Sequence, residues 1–177
     1  MTLYLPTAPK DNLLHRSQYT VIHDNQDLHS LECELETALE TGYLLIVIEP
    51  MGLGDRAIRW IRVGNFLHKC AVLSSVGVLG VGPFLSPKLS LYSVVPVGVF
   101  GVLCACVYDL SWQYDPCCKY QVDYHGQELT TVPSQELEST SAVVLVQRND
   151  KYRRILHNTL AVIVTGVICY KVFKYFY

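Results

Sequence analysis

Two long uncharged runs separated by a single lysine set the terms for everything else in this chain. Cys70 to Pro87 gives 18 residues without an acidic or basic side chain, and Leu89 to Tyr108 gives 20 more, with Lys88 alone between them. A hydrocarbon core about 30 Å thick is crossed by roughly 20 apolar residues of helix, so both runs are long enough. Pro83 and Pro87 predict that the first helix ends near residues 82–85, because proline has no N–H to continue it. A soluble buried hairpin would need a polar shell that the chain lacks: only 17% of its 177 residues are charged, against about 25% in an ordinary soluble domain. Half the residues are apolar, which excludes intrinsic disorder as an overall description. With 14 basic and 16 acidic residues there is no positive excess to hold nucleic acid, and none is expected as a partner.

A third stretch, Ile155 to Tyr170, opens on His157, Asn158 and Thr159, and its apolar heart from Leu160 to Tyr170 is 11 residues long. As helix that heart covers only about 16 Å, short for a span unless its ends snorkel. Lys171, Lys174 and the aromatics Phe173, Tyr175, Phe176 and Tyr177 then read as an interfacial anchor. The stretch is a candidate third membrane helix, with a helix in the interface or packed on the hairpin as the alternative. The first two runs are joined by so short a connection that they must be antiparallel, and their outer flanks share one side. That side holds Arg56, Arg59, Arg62, Lys69, Lys119, Arg148, Lys151, Arg153 and Arg154. The positive-inside tendency therefore predicts flanks facing the cytosol or the mitochondrial matrix.

Both flanks carry folded patterns. Tyr19 to His23 is a short β-like run, and Leu28, Leu31, Leu35 and Leu39 recur at helical spacing over residues 26–41, with Gly42 where a C-cap belongs. Leu44 to Ile48 is a continuous apolar strand, which suggests burial on both faces. Past the hairpin, Tyr120 to Tyr124 alternates and Ala142 to Val146 is again apolar, with a polar connection from Pro133 to Thr140. Neither flank has enough elements for a core of its own, but together they make about four strands and one helix. The fold class is therefore read as an α+β membrane protein: a transmembrane helical hairpin inserted in a small α+β cap, with a candidate third C-terminal membrane helix. The organisation runs as a flexible N-terminus (1–18), the first half of the cap (19–54), an amphipathic lead-in helix (55–69), the hairpin (70–108), the second half of the cap (109–154) and the C-terminal membrane-associated helix (155–177).

In the lead-in helix Asp55 is the expected N-cap, and Arg56, Arg59 and Arg62 fall at i, i+3 and i+6. With Trp60 and Lys69 they are the candidate lipid-headgroup contacts, suited to anionic lipids such as cardiolipin. A solvated helix face against the cap is the competing reading. Trp112, Tyr114 and Tyr120 at the exit of the hairpin suggest an aromatic belt.

Catalytic chemistry is weakly represented. Gly52-Leu53-Gly54-Asp55 spells the GxGD of intramembrane aspartyl proteases, but Asp55 precedes the membrane run and neither long run contains a second acid. The seven cysteines include no CxxC pair; Cys104 and Cys106 project about 200° apart on a helix, and an odd total argues against a complete disulfide framework. Vicinal Cys117 and Cys118 are candidates for acylation or oxidation, against a plain packing role. His68, beside Lys69, reads as interfacial, and the six histidines show no HExxH. No metal, cofactor or catalytic residue is assigned. The long runs lack the ionisable groups that mark ion pathways. They do carry small residues at packing intervals: Ala71 with Ser75 and Gly101 with Ala105, joined by Gly77, Gly80 and Gly98. These either pack the hairpin on itself or form a face for assembly, and a homo-oligomer is expected.

One block of the chain resembles a known family. Ile46-Val47-Ile48-Glu49-Pro50, Gly54-Asp55, Arg59-Trp60-Ile61, Val63-Gly64-Asn65 and Leu67-His68-Lys69 resemble the transmembrane protein 11 family in order and spacing. So do Ser111-Trp112-Gln113-Tyr114-Asp115-Pro116-Cys117-Cys118-Lys119-Tyr120-Gln121-Val122, Val143 to Val146 and Leu156-His157-Asn158-Thr159. Arg56-Ala57 departs from the acidic-plus-Thr pair expected there. The resemblance implies a non-enzymatic, multi-pass mitochondrial membrane protein that organises mitochondrial morphology and cristae. It implies the MICOS cristae-organising complex as a partner and the inner membrane as its place. The alternative it carries is an outer-membrane adaptor that spatially regulates mitophagy receptors. Met1 to Gln18 is no Arg-rich presequence, so import is expected to use internal information.

Overall fold

The structure is a computed structural model and describes residues 19–25, 27–125, 132, 133, 137 and 142–176. Along the chain run β1 (Tyr19–Ile22), α1 (Leu28–Thr41), β2 (Leu45–Ile48), α2 (Met51–Val81), a 3-10 turn (Gly82–Phe84), α3 (Pro87–Ser111), a second 3-10 segment (Pro116–Lys119), β3 (Tyr120–Val122), β4 (Val143–Gln147) and α4 (Lys151–Phe176). The chain divides into two compact units, a sheet unit with residues up to Ile58 and from Tyr120 to Arg148, and a helical unit with Arg59–Lys119 and the described residues from Asn149 onward.

The sheet unit is built around one four-stranded sheet in the order β1-β2-β4-β3. β1 and β2 are parallel, with Thr20 opposite Ile46, and the antiparallel step needed to bring them side by side is supplied by α1 as a crossover. β4 runs antiparallel to both β2 and β3, pairing Leu145 with Ile46 and with Val122. All four residues of β2 are buried, as its lack of alternation requires of a central strand covered on both faces. Leu45, Val47, Val132 and Val144 form one core cluster, lined by Tyr19, Val21 and Val146. In α1 the buried stripe is Leu31, Leu35, Ala38 and Leu39; Leu28, counted with them from its spacing, starts the helix and lies exposed. Gly42 ends α1 in the left-handed region (φ 79°), where its N–H reaches the Ala38 carbonyl at 3.2 Å.

The helices run further than the apolar stretches that signal them. The lead-in and membrane segments are one continuous helix, α2, of 31 residues, about 46 Å long. It begins four residues before Asp55, so Asp55 is an exposed second-turn residue and not the N-cap. The helix starts there because Pro50 precedes it and the N–H groups of Leu53 and Gly54 both turn back to the Pro50 carbonyl. Gly54 has a packing reason: a Cβ there would lie 2.6 Å from Val143 Cγ2. The C-terminal stretch is also longer than its apolar heart, because helix continues through Lys151–Leu156 and to Phe176, 26 residues in all or about 39 Å. Finally, residues 109–119 and 149–154 group with the helices, since α3 persists to Ser111.

Met51–Phe84, Lys88–Ser111 and Lys151–Phe176 are each long and apolar enough to cross a membrane. In the helical unit α4 lies antiparallel to α3 along most of its length. Ala161 packs against Ala71, Cys104 and Ala105. Val164 meets Val78 and Val94, and Lys171 Nζ donates to Ser90 Oγ. Pro96 sits inside α3, where it withholds one helical hydrogen bond.

Candidate helix-packing and membrane-contact site

The small residues separate into two sets once their surroundings are read. Ala71, Ser75 and Ala105 are buried, and Ser75 returns its hydroxyl proton to the Ala71 carbonyl at 2.7 Å. A Cβ on Gly101 would sit 2.8 Å from Ser74 Cβ, and one on Gly98 would sit 2.6 Å from Ile168 Cδ1. These five positions let α2, α3 and α4 approach closely within one molecule. Gly77 and Gly80 behave differently, because a Cβ on either would meet nothing within 4 Å. They share a face of α2 with exposed Leu73, Val76 and Val81, at the three- and four-residue spacing of one helical stripe.

The basic face of α2 also divides. Arg56 pairs with Glu32 of α1 at the surface of the sheet unit, a contact worth about 0–1 kcal/mol because both groups are largely solvated. Arg59, Arg62 and Lys69 are exposed on the same helix. Trp60 is partly committed elsewhere: its indole N–H donates to Asp115 Oδ2 at 2.8 Å and its ring meets Trp112 edge-on at 5.4 Å. The anticipated aromatic belt does not form as a set. Trp112 is 1% exposed and pressed against the backbone of α2 at Gly64, where no Cβ could fit. Tyr120 is 0% exposed and donates its hydroxyl to the Tyr43 carbonyl at 2.8 Å within the sheet unit. Tyr114 alone of the three remains exposed.

Cys117 and Cys118 are both buried, in the 3-10 segment after α3. The Cys118 thiol faces Asp150 Oδ2 at 3.4 Å and the Gln113 carbonyl at 3.8 Å. Burial first, and then the neighbouring Asp150 carboxylate, push it from its ordinary 9.0 up to about 11, which keeps it protonated and a poor nucleophile at neutral pH. All seven cysteines are free.

Sequence spacing did not bring together one further cluster, because its members come from three helices far apart in the chain. His68 on α2, Tyr108 and Asp109 on α3, and Arg153 and His157 on α4 converge. The two imidazoles meet at 3.2 Å between their Nδ1 atoms, and His157 Nε2 stands 3.7 Å from Asp109 Oδ1. The Tyr108 ring lies 4.4 Å from the His157 ring, with the Arg153 guanidinium 5.9 Å from the tyrosine centroid. The available signal is only that each polar residue lies at or beside the border of an uncharged or apolar run.

The chain has relatives among known proteins. It matches the family described as Mitochondrial morphogenesis regulator over residues 19–173. The chain belongs to the mitochondrial morphogenesis regulator family. Among curated members of that family, "Transmembrane protein 11, mitochondrial" of Danio rerio is 46% identical over 143 residues, covering 81% of this chain and 76% of the relative. "Transmembrane protein 11-A, mitochondrial" of Xenopus laevis is 49% identical over 130 residues, 73% of this chain and 70% of its own. The Homo sapiens protein is 48% identical over 130 residues, 73% and 68%. The matched range takes in the strands of the sheet unit and nearly all of the three apolar helices. No solved structure matches the chain.

Proposed function

We propose that this member of the morphogenesis regulator family is a non-enzymatic organiser of mitochondrial membrane shape, with its three apolar helices in the inner membrane and its sheet unit selecting partners. Its partner class would be the MICOS cristae-organising machinery, and its own assembly would use the open face of α2. One observation carries the assembly reading. Gly98 and Gly101 are filled by neighbouring side chains, while Gly77 and Gly80 lie open on an apolar helix face. Glycine in a helix interior costs about 1 kcal/mol relative to alanine, and a close helix–helix approach from a second copy would offset that cost in a membrane.

The contrast between the two sets gives the test. Gly80→Leu is expected to leave the monomer's melting temperature in detergent close to that of the unmodified protein, while shifting the oligomer toward monomer and altering mitochondrial shape in cells. Gly101→Leu is expected to destabilise the fold itself, since overpacking typically costs about 1–3 kcal/mol. Unchanged oligomer size for Gly80→Leu would remove the assembly reading.

Arg59, Arg62 and Lys69, exposed along α2, are proposed to hold anionic headgroups such as cardiolipin, at about 1 kcal/mol per charge near the surface. Reversing all three to Glu should reduce association with cardiolipin-containing vesicles and leave association with neutral vesicles alone. Equal retention on both would remove the lipid reading.

A further inference from the structure

Buried polar groups inside an apolar bundle are costly unless paired, and the helical unit gathers several at one place. His157 is 1% exposed, and its Nε2 and the facing Asp109 Oδ1 are buried with no hydrogen-bond partner among the described residues. The Nε and one terminal nitrogen of Arg153 are buried in the same condition. The groups around the histidines come from every packed element: His68 from α2, Tyr108 and Asp109 from α3, Arg153 and His157 from α4. Beyond them Cys118, Asp150 and Arg154 act on Tyr108 and not on the histidines directly.

The atom pairing restricts how protons can be placed. A contact between two Nδ1 atoms at 3.2 Å is a hydrogen bond only if one carries a proton and the other is bare. With both rings neutral, the arrangement that suits Asp109 has His68 Nδ1–H donating to bare His157 Nδ1, which leaves the His157 proton on Nε2 and aimed at the carboxylate. The opposite tautomer would set a bare nitrogen against the carboxylate oxygen at 3.7 Å. An added proton can enter at His68 Nε2 while the shared proton crosses from His68 Nδ1 to His157 Nδ1. His157 then carries both its protons and a positive charge next to Asp109, and His68 becomes the acceptor of the same bond. A second added proton has no such place. It would occupy the His68 Nδ1 lone pair that accepts the bond, and would set two cationic rings together beside the Arg153 guanidinium.

We propose that His68, Asp109 and His157 form a binding site for one proton, with His157 its buried member, that clasps α2, α3 and α4 together and opens when a second proton enters. The site goes beyond the organiser reading and does not depend on it. The clasp is present at neutral pH, survives the first protonation by reversing the direction of its central hydrogen bond, and is lost on further acidification. Release of α4 from the hairpin is the conformational consequence, because α4 supplies the central member.

The full chain in phospholipid vesicles tests this, with genetically encoded spin labels at exposed Val107 on α3 and Ile155 on α4 and the native cysteines untouched. Label separation is expected to hold near neutral pH and to widen only on strong acidification. His68→Asn keeps a hydrogen-bonding side chain in place but cannot titrate, and its separation is expected to stay constant throughout. Constant separation in the unmodified protein, or equal widening in His68→Asn, overturns the proposal. If His68→Asn does not fold, nitrogen-15 spectra of the unmodified protein's histidines decide. One bare and one protonated Nδ1 at neutral pH are expected, and two protonated or two bare Nδ1 atoms overturn it.

Discussion

At the scale of single residues, the same side chain type serves opposite ends according to what its neighbours leave it. Gly64 exists for Trp112 and Gly54 for Val143, and neither role is written in the local sequence, because the partner lies on another element. The vicinal cysteines show the converse. Their position after a membrane helix suggests accessible thiols, yet both are buried and Cys118 faces a carboxylate. Its raised pKa has a stability consequence with a definite sign. A thiol that ionises at about 11 when folded and near 9.0 otherwise retains a proton in the folded chain that the unfolded chain has released. The stability it contributes is whole below about pH 9 and declines as pH rises through about 11. The melting temperature of the unmodified protein should therefore fall more between about pH 8 and about pH 10.5 than that of Cys118→Ala. Parallel falls in the two proteins would show that burial of this thiol carries no pH-dependent stability.

Elements were legible in proportion to how local their causes are. The period-3.6 leucines of α1 and its Gly42 stop are local, and so is the unbroken apolar run of β2; each appears where the sequence places it. The sheet order was not legible. Nothing in Tyr19–Ile22 says that it pairs in parallel with β2, or that β4 lies between β2 and β3. α2 and α4 extend past their apolar runs for one physical reason. Charged and polar residues end an apolar run in sequence, but they do not end a helix, whose hydrogen bonds are indifferent to side-chain polarity. So Arg56–Lys69 continues upward into Cys70–Val81 without a break, and Lys151–Arg154 already belongs to α4. The packing set was half legible: the small-residue spacing marked Ala71, Ser75, Gly98, Gly101 and Ala105 together with Gly77 and Gly80, but only the positions of the other helices separate the filled glycines from the open ones.

At the scale of the whole molecule, connectivity and the count of apolar helices constrain topology together. β2 lies before the hairpin and β4 after it, and the two are hydrogen-bonded neighbours in one sheet. If α2 and α3 cross a bilayer, both strands must emerge on the same side, which an even number of crossings guarantees. α4 then adds a third candidate crossing after β4. Its 26 residues span about 39 Å, more than the roughly 30 Å hydrocarbon core, and Lys171, Lys174, Phe173 and Tyr175 occupy its far end, where interfacial anchors belong. An odd number of crossings puts β1 and the end of α4 on opposite sides. Epitopes attached before residue 19 and after residue 176 should therefore differ in protease accessibility in isolated mitochondria, tested with the outer membrane intact and then opened. Digestion of one epitope under conditions that spare the other is the expected result. Loss of both in the same step would mean that α4 returns to the side it left, and would leave the hairpin as the membrane-crossing element.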